Sequence, residues 1–392
     1  MAKKYDFDKL TDRRGTGCLK YDCGPARIGR DDLLPLWVAD MDFALPSEIL
    51  EDLHTRIDHG IFGYTEPDDA YYEAMSSWFL TRYGWKIDKE WNTVVPGVVY
   101  GIACAIRALT EPGDVVIIQE PVYYPFKMMI EENGRTCVSS DLINKDGRYE
   151  MDLEDLEKKI VDNGAKAMIL CTPHNPVGRV WTREELSAVD EICRRHHVRL
   201  IVDEIHCDFI FPGHTFTPFG ALGEESLNNA VICTSPSKTF NIAGLQVSNI
   251  LIADPDMRRA FIRANSANGY DQANIMGLTA AKAVFEKGGE WLDALIAYLW
   301  DNVNYVNDFL KENLPELKMT IPEGTYLVWI DFSEAVKTPA ELKHLIRDEA
   351  KLWLDNGAIF SAGTALFERI NIACPRSTLE QAMQQLYSAM RK

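Results

Sequence analysis

A single lysine, Lys238, lies in "TSPSKTFNIAGLQ", directly after the apolar run "AVICTS". An amine adds to a carbonyl, or removes a proton from carbon, only when neutral. Burial near other cations favours that form. Other reactive side chains fall at comparable places. "DVVIIQ" is followed by "EPVYYPF", which carries Tyr123, and "AKAMILCT" by "PHNPVGRVW", which carries Asn175. "VRLIV" ends in Asp203, Glu204 and, soon after, His206. Taken singly, each has a commoner structural use. A lysine snorkels from a strand end, an aspartate caps a turn, Asn-Pro opens one, and a tyrosine fills a core.

The elements that must position these residues are short and apolar. The runs at 114–119, 165–172, 198–205 and 230–235 read as fully buried strands. Between the second and third lies "WTREELSAVDEICRRH". Thr182 and Glu185 have capping-box spacing there, and Leu186, Val189, Ile192 and Cys193 share one helical face. Strand, helix and strand in that order predict an α/β fold with a mainly parallel sheet flanked by helices. Ligands of such sheets bind beyond the carboxyl ends of the strands, where Tyr123, Asn175, Asp203 and Lys238 would converge.

The last hundred residues read differently. "GTYLVWIDF" and "ERINIAC" predict strands; "LKHLIRDEAKLWLDNG" and "STLEQAMQQLYSAMRK" predict helices, the second with Ser377 and Glu380 as a capping box. The expected division is an arm over 1–48 that joins the small domain, a large domain over 49–290, and a smaller α+β domain over 291–392.

At 392 residues the chain is long for one core. Its 46% hydrophobic and 26% charged content is ordinary for a globular protein, and its net charge of −18 argues against nucleic-acid or anionic-membrane surfaces. No apolar run is long enough to span a membrane, and the start "MAKKYDFDKL" lacks the apolar stretch of a secretory leader. Nine cysteines, none in a C-x-x-C pair, read as reduced thiols of a cytoplasmic protein without a zinc site or disulfides.

The ordered set "NPVG", "DEIH", "SPSKTFN" and "RINIA" resembles the fold-type I pyridoxal-phosphate enzymes of the aspartate-aminotransferase superfamily. "WVADMDF", "GIFGYT", "HNPVGRVW", "DEIHCDF", "SKTFNIAGLQ" and "NIACPRS" are similar to the MalY/PatB group of cystathionine β-lyases, over nearly the whole chain. The resemblance implies that Lys238 bonds covalently to the aldehyde of pyridoxal 5'-phosphate and then serves as general base. It implies that Asp203 pairs with the ring nitrogen, Asn175 donates to the phenolic oxygen and Tyr123 stacks on the ring. The phosphate would meet the N–H groups of Val98 and Val99, at the start of the helical stretch after "PG", with the hydroxyls of Ser235 and Ser237. Tyr64 of "GYT" would reach the phosphate of a second copy in a homodimer. Arg369 would take the α-carboxylate of an amino-acid substrate, which a guanidinium fork suits better than an ammonium.

Two positions depart from the broader superfamily. Gln246 stands where many members have an arginine on the phosphate, and His206 where many have a tyrosine bonded to the cofactor. Histidine can donate that bond, with pH sensitivity expected from its own ionisation. The expected activity is α,β-elimination from cystathionine or another cysteine S-conjugate. An aminotransferase would use the same residues. A purely regulatory cofactor-binding protein is disfavoured, because Lys238, Asp203 and Arg369 are all present.

Overall fold

The computed structural model describes residues 5–392; the basic stretch Met1–Lys4, at the start of the segment that lacks a leader's apolar run, lies outside them. A seven-stranded sheet dominates. Its spatial order is Asn92–Val95, Ser248–Leu251, Ala230–Thr234, Arg199–Asp203, Ala167–Cys171, Val115–Ile118 and Thr136–Ser139. The last five run parallel; Ser248–Leu251 runs antiparallel to both its neighbours, so the edge strand Asn92–Val95 runs in the same direction as the five. The four predicted buried strands are its centre.

Those runs are apolar throughout because both faces of the sheet are covered. Met168 and Leu170 join a core with Leu186, Val189 and Cys193 on one side. Their neighbours Ala167, Ile169 and Cys171 join a second core with Ile102, Ile106 and Phe261 on the other. Successive side chains of a strand point to opposite faces, so two-sided burial removes the polar alternation. Helix Arg183–Arg195 begins with the full Thr182–Glu185 capping box.

A smaller antiparallel sheet is built from Lys318–Thr320, Leu327–Asp331, Phe367–Asn371 and Asp355–Asn356, in that order. The 25-residue helix Gly289–Asn313 precedes it in the chain. Two expectations fail here. The stretch from Leu342 to Gly357 is not one helix. Helical turns end by Glu349, Lys351 takes a left-handed φ of 56°, and Leu352–Trp353 becomes a strand paired with Leu34–Pro35. Available strand partners override the helical pattern. The C-terminal helix starts at Arg376, with Pro375 as an N-cap that makes no side-chain bond, so the Ser377–Glu380 box does not form. Among the described residues, no helix is long and apolar enough to cross a membrane.

Candidate active site

Parallel strands in register end together. Cys171 pairs with Asp203, and Asp203 with Cys233, so the residues just past each strand meet at one rim. There a cavity of about 230 Å³ is lined by Tyr123, Asn175, Asp203, His206, Ser237 and Lys238, with Pro96 to Val99 on one wall and Asp355 and Arg369 on another.

The two reactive groups are tuned by burial. Asp203 ends its strand; its Oδ1 accepts from the Ile205 N–H at 3.0 Å. Burial pushes its carboxyl up to about 7, with Ile205 and Lys238 pulling the other way. Lys238 is in the short helical turn Pro236–Thr239. Burial, then the Arg369 charge, brings its amine down to about 8, against weaker pulls from Asp40 and Asp203. Its Nζ donates to the Ala39 carbonyl at 2.6 Å.

One wall of the cavity is a helix N-terminus. Helix Val98–Leu109 opens after Gly97, which has no side chain to cap the first N–H groups. Val98 and Val99 line the cavity. Ser237 also lines it, but Ser235 does not. The Ser235 hydroxyl donates to the Val247 carbonyl at 2.7 Å and accepts from the Ser237 N–H, so it caps the short helix and holds the neighbouring strand. Its expected role on the phosphate is therefore corrected. Gln246 is exposed and outside the lining.

His206 also differs from expectation. It is buried, and desolvation, with the charges of Lys238 and Arg369, lowers its pKa to about 3. It therefore stays neutral over the working range, and the expected pH sensitivity is absent. Its Nδ1 is buried with no hydrogen-bond partner among the described residues.

Arg369 sits on strand Phe367–Asn371 of the small sheet. Its Nη1 donates to Asn175 Oδ1 at 3.0 Å and its Nη2 to the Trp37 carbonyl at 2.9 Å. This orients Asn175 with its oxygen on the arginine and its NH₂ as the remaining donor. Arg369 also forms an ion pair with Asp355.

Several lining residues were not singled out from sequence. Tyr124 follows Tyr123 and is partly exposed at the cavity. Trp37, Val38 and Ala39 belong to "WVADMDF", whose backbone carbonyls carry the contacts. Trp37 O holds Arg369, Ala39 O holds Lys238 and the Tyr326 hydroxyl, and Val38 O and Asp40 O hold the Asn371 amide. The strap is fixed by fully buried Lys20 on Asp42 at 2.8 Å and by Arg13 on Asp40 and Asp42. Tyr64 is 94% exposed and not part of this chain's cavity.

The cavity suits pyridoxal phosphate on its own chemistry. It combines an uncapped helix N-terminus for an anion, a buried carboxylate without a cation in contact for a protonated ring nitrogen, an unpartnered ring nitrogen on His206, and an amine held near neutrality.

Comparison with known proteins agrees. The aminotransferase class I and II family matches residues 31–386. The chain is 44% identical to cystathionine beta-lyase PatB of Bacillus subtilis over 385 residues, covering 98% of this chain and 100% of that protein. It is 35% identical to protein MalY of Escherichia coli, covering 99% of each. Among solved structures, cystalysin of Treponema denticola, which contains pyridoxal 5'-phosphate, superposes with a TM-score of 0.96 at 38% identity, covering 99% of each chain.

Proposed function

The chain belongs to the class I and II aminotransferase family, and from that premise we propose that it is a pyridoxal-phosphate-dependent carbon–sulfur β-lyase. It cleaves L-cystathionine or a related cysteine S-conjugate to a thiol, pyruvate and ammonia. One observation carries the reading. Lys238, its amine brought down to about 8, shares a cavity with Asp203 and Arg369 in a chain similar end to end to cystathionine beta-lyases.

When bound, pyridoxal phosphate supplies a ring that accepts the electron pair left as Cα loses its proton. The chain's own residues do the rest. Val98 and Val99 N–H groups, with the Ser237 hydroxyl, hold the phosphate end. Asp203 would hold the proton on the ring nitrogen, and Tyr123 would pack on the ring. Asn175 and His206 supply donors to its oxygen. Arg369 grips the α-carboxylate of the substrate. Lys238 takes the Cα proton as general base, with Ala39 O there to receive its N–H. As the Cβ–S bond breaks, the Cα electron pair forms the Cα–Cβ double bond and the departing thiolate takes a proton; water then hydrolyses the released enamine to pyruvate and ammonia. Residues 49–290 form the cofactor-binding domain, and 1–48 with 291–392 form the smaller one that brings Arg369 and the strap.

L-Cystathionine alone, with no 2-oxo acid added, should give homocysteine, pyruvate and ammonia over many turnovers. An aminotransferase would stall without a 2-oxo acid. No thiol from cystathionine, but rapid turnover of alanine once a 2-oxo acid is supplied, would replace the lyase reading with an aminotransferase.

The enzyme works in the cytoplasm as a two-fold homodimer in which Tyr64 completes the neighbouring phosphate site. Tyr64 is 94% exposed beside Ile61 at 66% and Phe62 at 55%, an exposed apolar segment of the kind that marks an interaction site. Mixing inactive Lys238→Ala chains with strongly impaired Tyr64→Ala chains should restore activity, because one site in each heterodimer is then intact. Activity that stays at the level of the separate variants would place Tyr64 elsewhere.

A further inference from the structure

The cavity holds a charged group that this chemistry does not use. Asp355 pairs directly across the antiparallel strands with Arg369, which places the two side chains on one face. Both line the cavity, and the Asp355 side chain is 12% exposed. The ionisable lining is otherwise Asp203, Lys238, Arg369, His206, the two tyrosines and Cys171, whose thiol burial keeps protonated. Asp203 and Lys238 serve the cofactor, and His206 and Tyr123 stay neutral. Arg369 is already paired with Asp355, so once it also receives an α-carboxylate one negative charge among the three groups is left uncompensated. That charge lines the same cavity that receives the substrate. Arg347 acts on Asp355 electrostatically but does not line the cavity, and Glu368 beside it is a buried acid bonded to Asn356. Arg27 lies over the Trp37 ring, also outside the lining.

We propose that Asp355 is a specificity-determining residue: it favours cysteine conjugates whose leaving thiol carries a net positive charge and turns away those whose thiol carries a carboxylate with no ammonium beside it. This rests on the lyase reading and deepens it. The homocysteine half of cystathionine bears an ammonium and a carboxylate on one carbon, so it is neutral overall and ranks between the cationic and the anionic conjugates. A dicarboxylic amino acid or 2-oxo acid would bring a second carboxylate against Asp355, and no second cation lines the cavity to receive it. Like charges brought together in a poorly solvated site are costly, and opposite charges gain.

The test uses three isosteric pairs at about pH 8, well above the ordinary carboxyl range. Elimination is measured on S-(2-aminoethyl)-, S-ethyl- and S-carboxymethyl-L-cysteine. Binding of their methylene counterparts L-lysine, L-norleucine and L-2-aminoadipate is read from the change in cofactor absorbance of the holoenzyme. In the wild type, both series should rank cation, neutral, anion, spanning about a hundredfold. Asp355→Asn keeps an oxygen for Arg369 but removes the charge, and should compress the span to about threefold. If that variant merely displaced Arg369, all three ligands would weaken together and the span would persist. A wild type without the charge order, or a variant that keeps it, overturns the proposal. If no conjugate is cleaved, the lyase reading falls, while the binding order of the three amino acids still decides the role of Asp355.

Discussion

Replacing Lys238 with alanine is expected to lower turnover by about 10⁴-fold or more, since both the covalent anchor and the general base are lost. Cofactor should remain bound, because the N–H groups of Val98 and Val99, Ser237, Asp203 and Asn175 are untouched and all line the same cavity. Borohydride should no longer fix the cofactor to the chain, as detected by mass spectrometry. Turnover near the wild-type rate would remove Lys238 from both roles.

Asp203→Asn is expected to act in opposite directions on activity and on stability. Activity should fall by about 10²–10³-fold, the usual cost of losing one preorganised charge-stabilising group. The cofactor-free chain should become more stable. Asp203 is a buried carboxyl raised from 3.8 to about 7, so the folded chain holds its proton longer than the unfolded chain does. Stability is therefore present at low pH and lost as pH rises through the folded pKa. Asparagine carries no such penalty. Its advantage in urea unfolding of the cofactor-free protein should be about 2–3 kcal/mol larger at pH 8 than at pH 5. An advantage that is flat with pH, or larger at pH 5, would mean that the carboxylate is stabilised in the empty site by a partner other than Ile205 and Lys238. The free energy stored in this uncompensated group is available to favour a protonated ring nitrogen. The same change should for that reason weaken cofactor retention.

The N-terminal arm ties the two sheets to one site. Lys238 comes from the large sheet and Arg369 from the small one, yet both donate to carbonyls only two residues apart in the strap, Ala39 and Trp37. Lys20, Arg13, Asp40 and Asp42 anchor that strap as a cluster of paired charges. A buried cluster of this kind contributes little net stability, but removing one partner strands the others. Its value here is geometric, since it fixes the carbonyl acceptors of the general base and of the carboxylate fork together.

The amino-acid sequence by itself determined the parallel core and the rim. Continuous apolar runs are sufficient to identify strands buried on both faces, and parallel strands in register carry Tyr123, Asn175, Asp203 and Lys238 to the same edge. The ordered motifs assigned those residues their chemistry. Only the tertiary structure decided three further things. It consumed the Ser235 hydroxyl on Val247 and left Ser237 in the cavity, a distinction between two serines that neighbours in sequence cannot make. It kept His206 neutral, because a pKa sums burial and charges from Lys238 and Arg369, which are distant in the chain. It also set Asp355 opposite Arg369 and the Trp37 and Ala39 carbonyls against the reactive groups. A two-residue strand after a broken helix has too little periodicity to be read. Every residue has a backbone carbonyl, so which ones meet the lysine and the arginine is fixed by how the arm packs across both sheets.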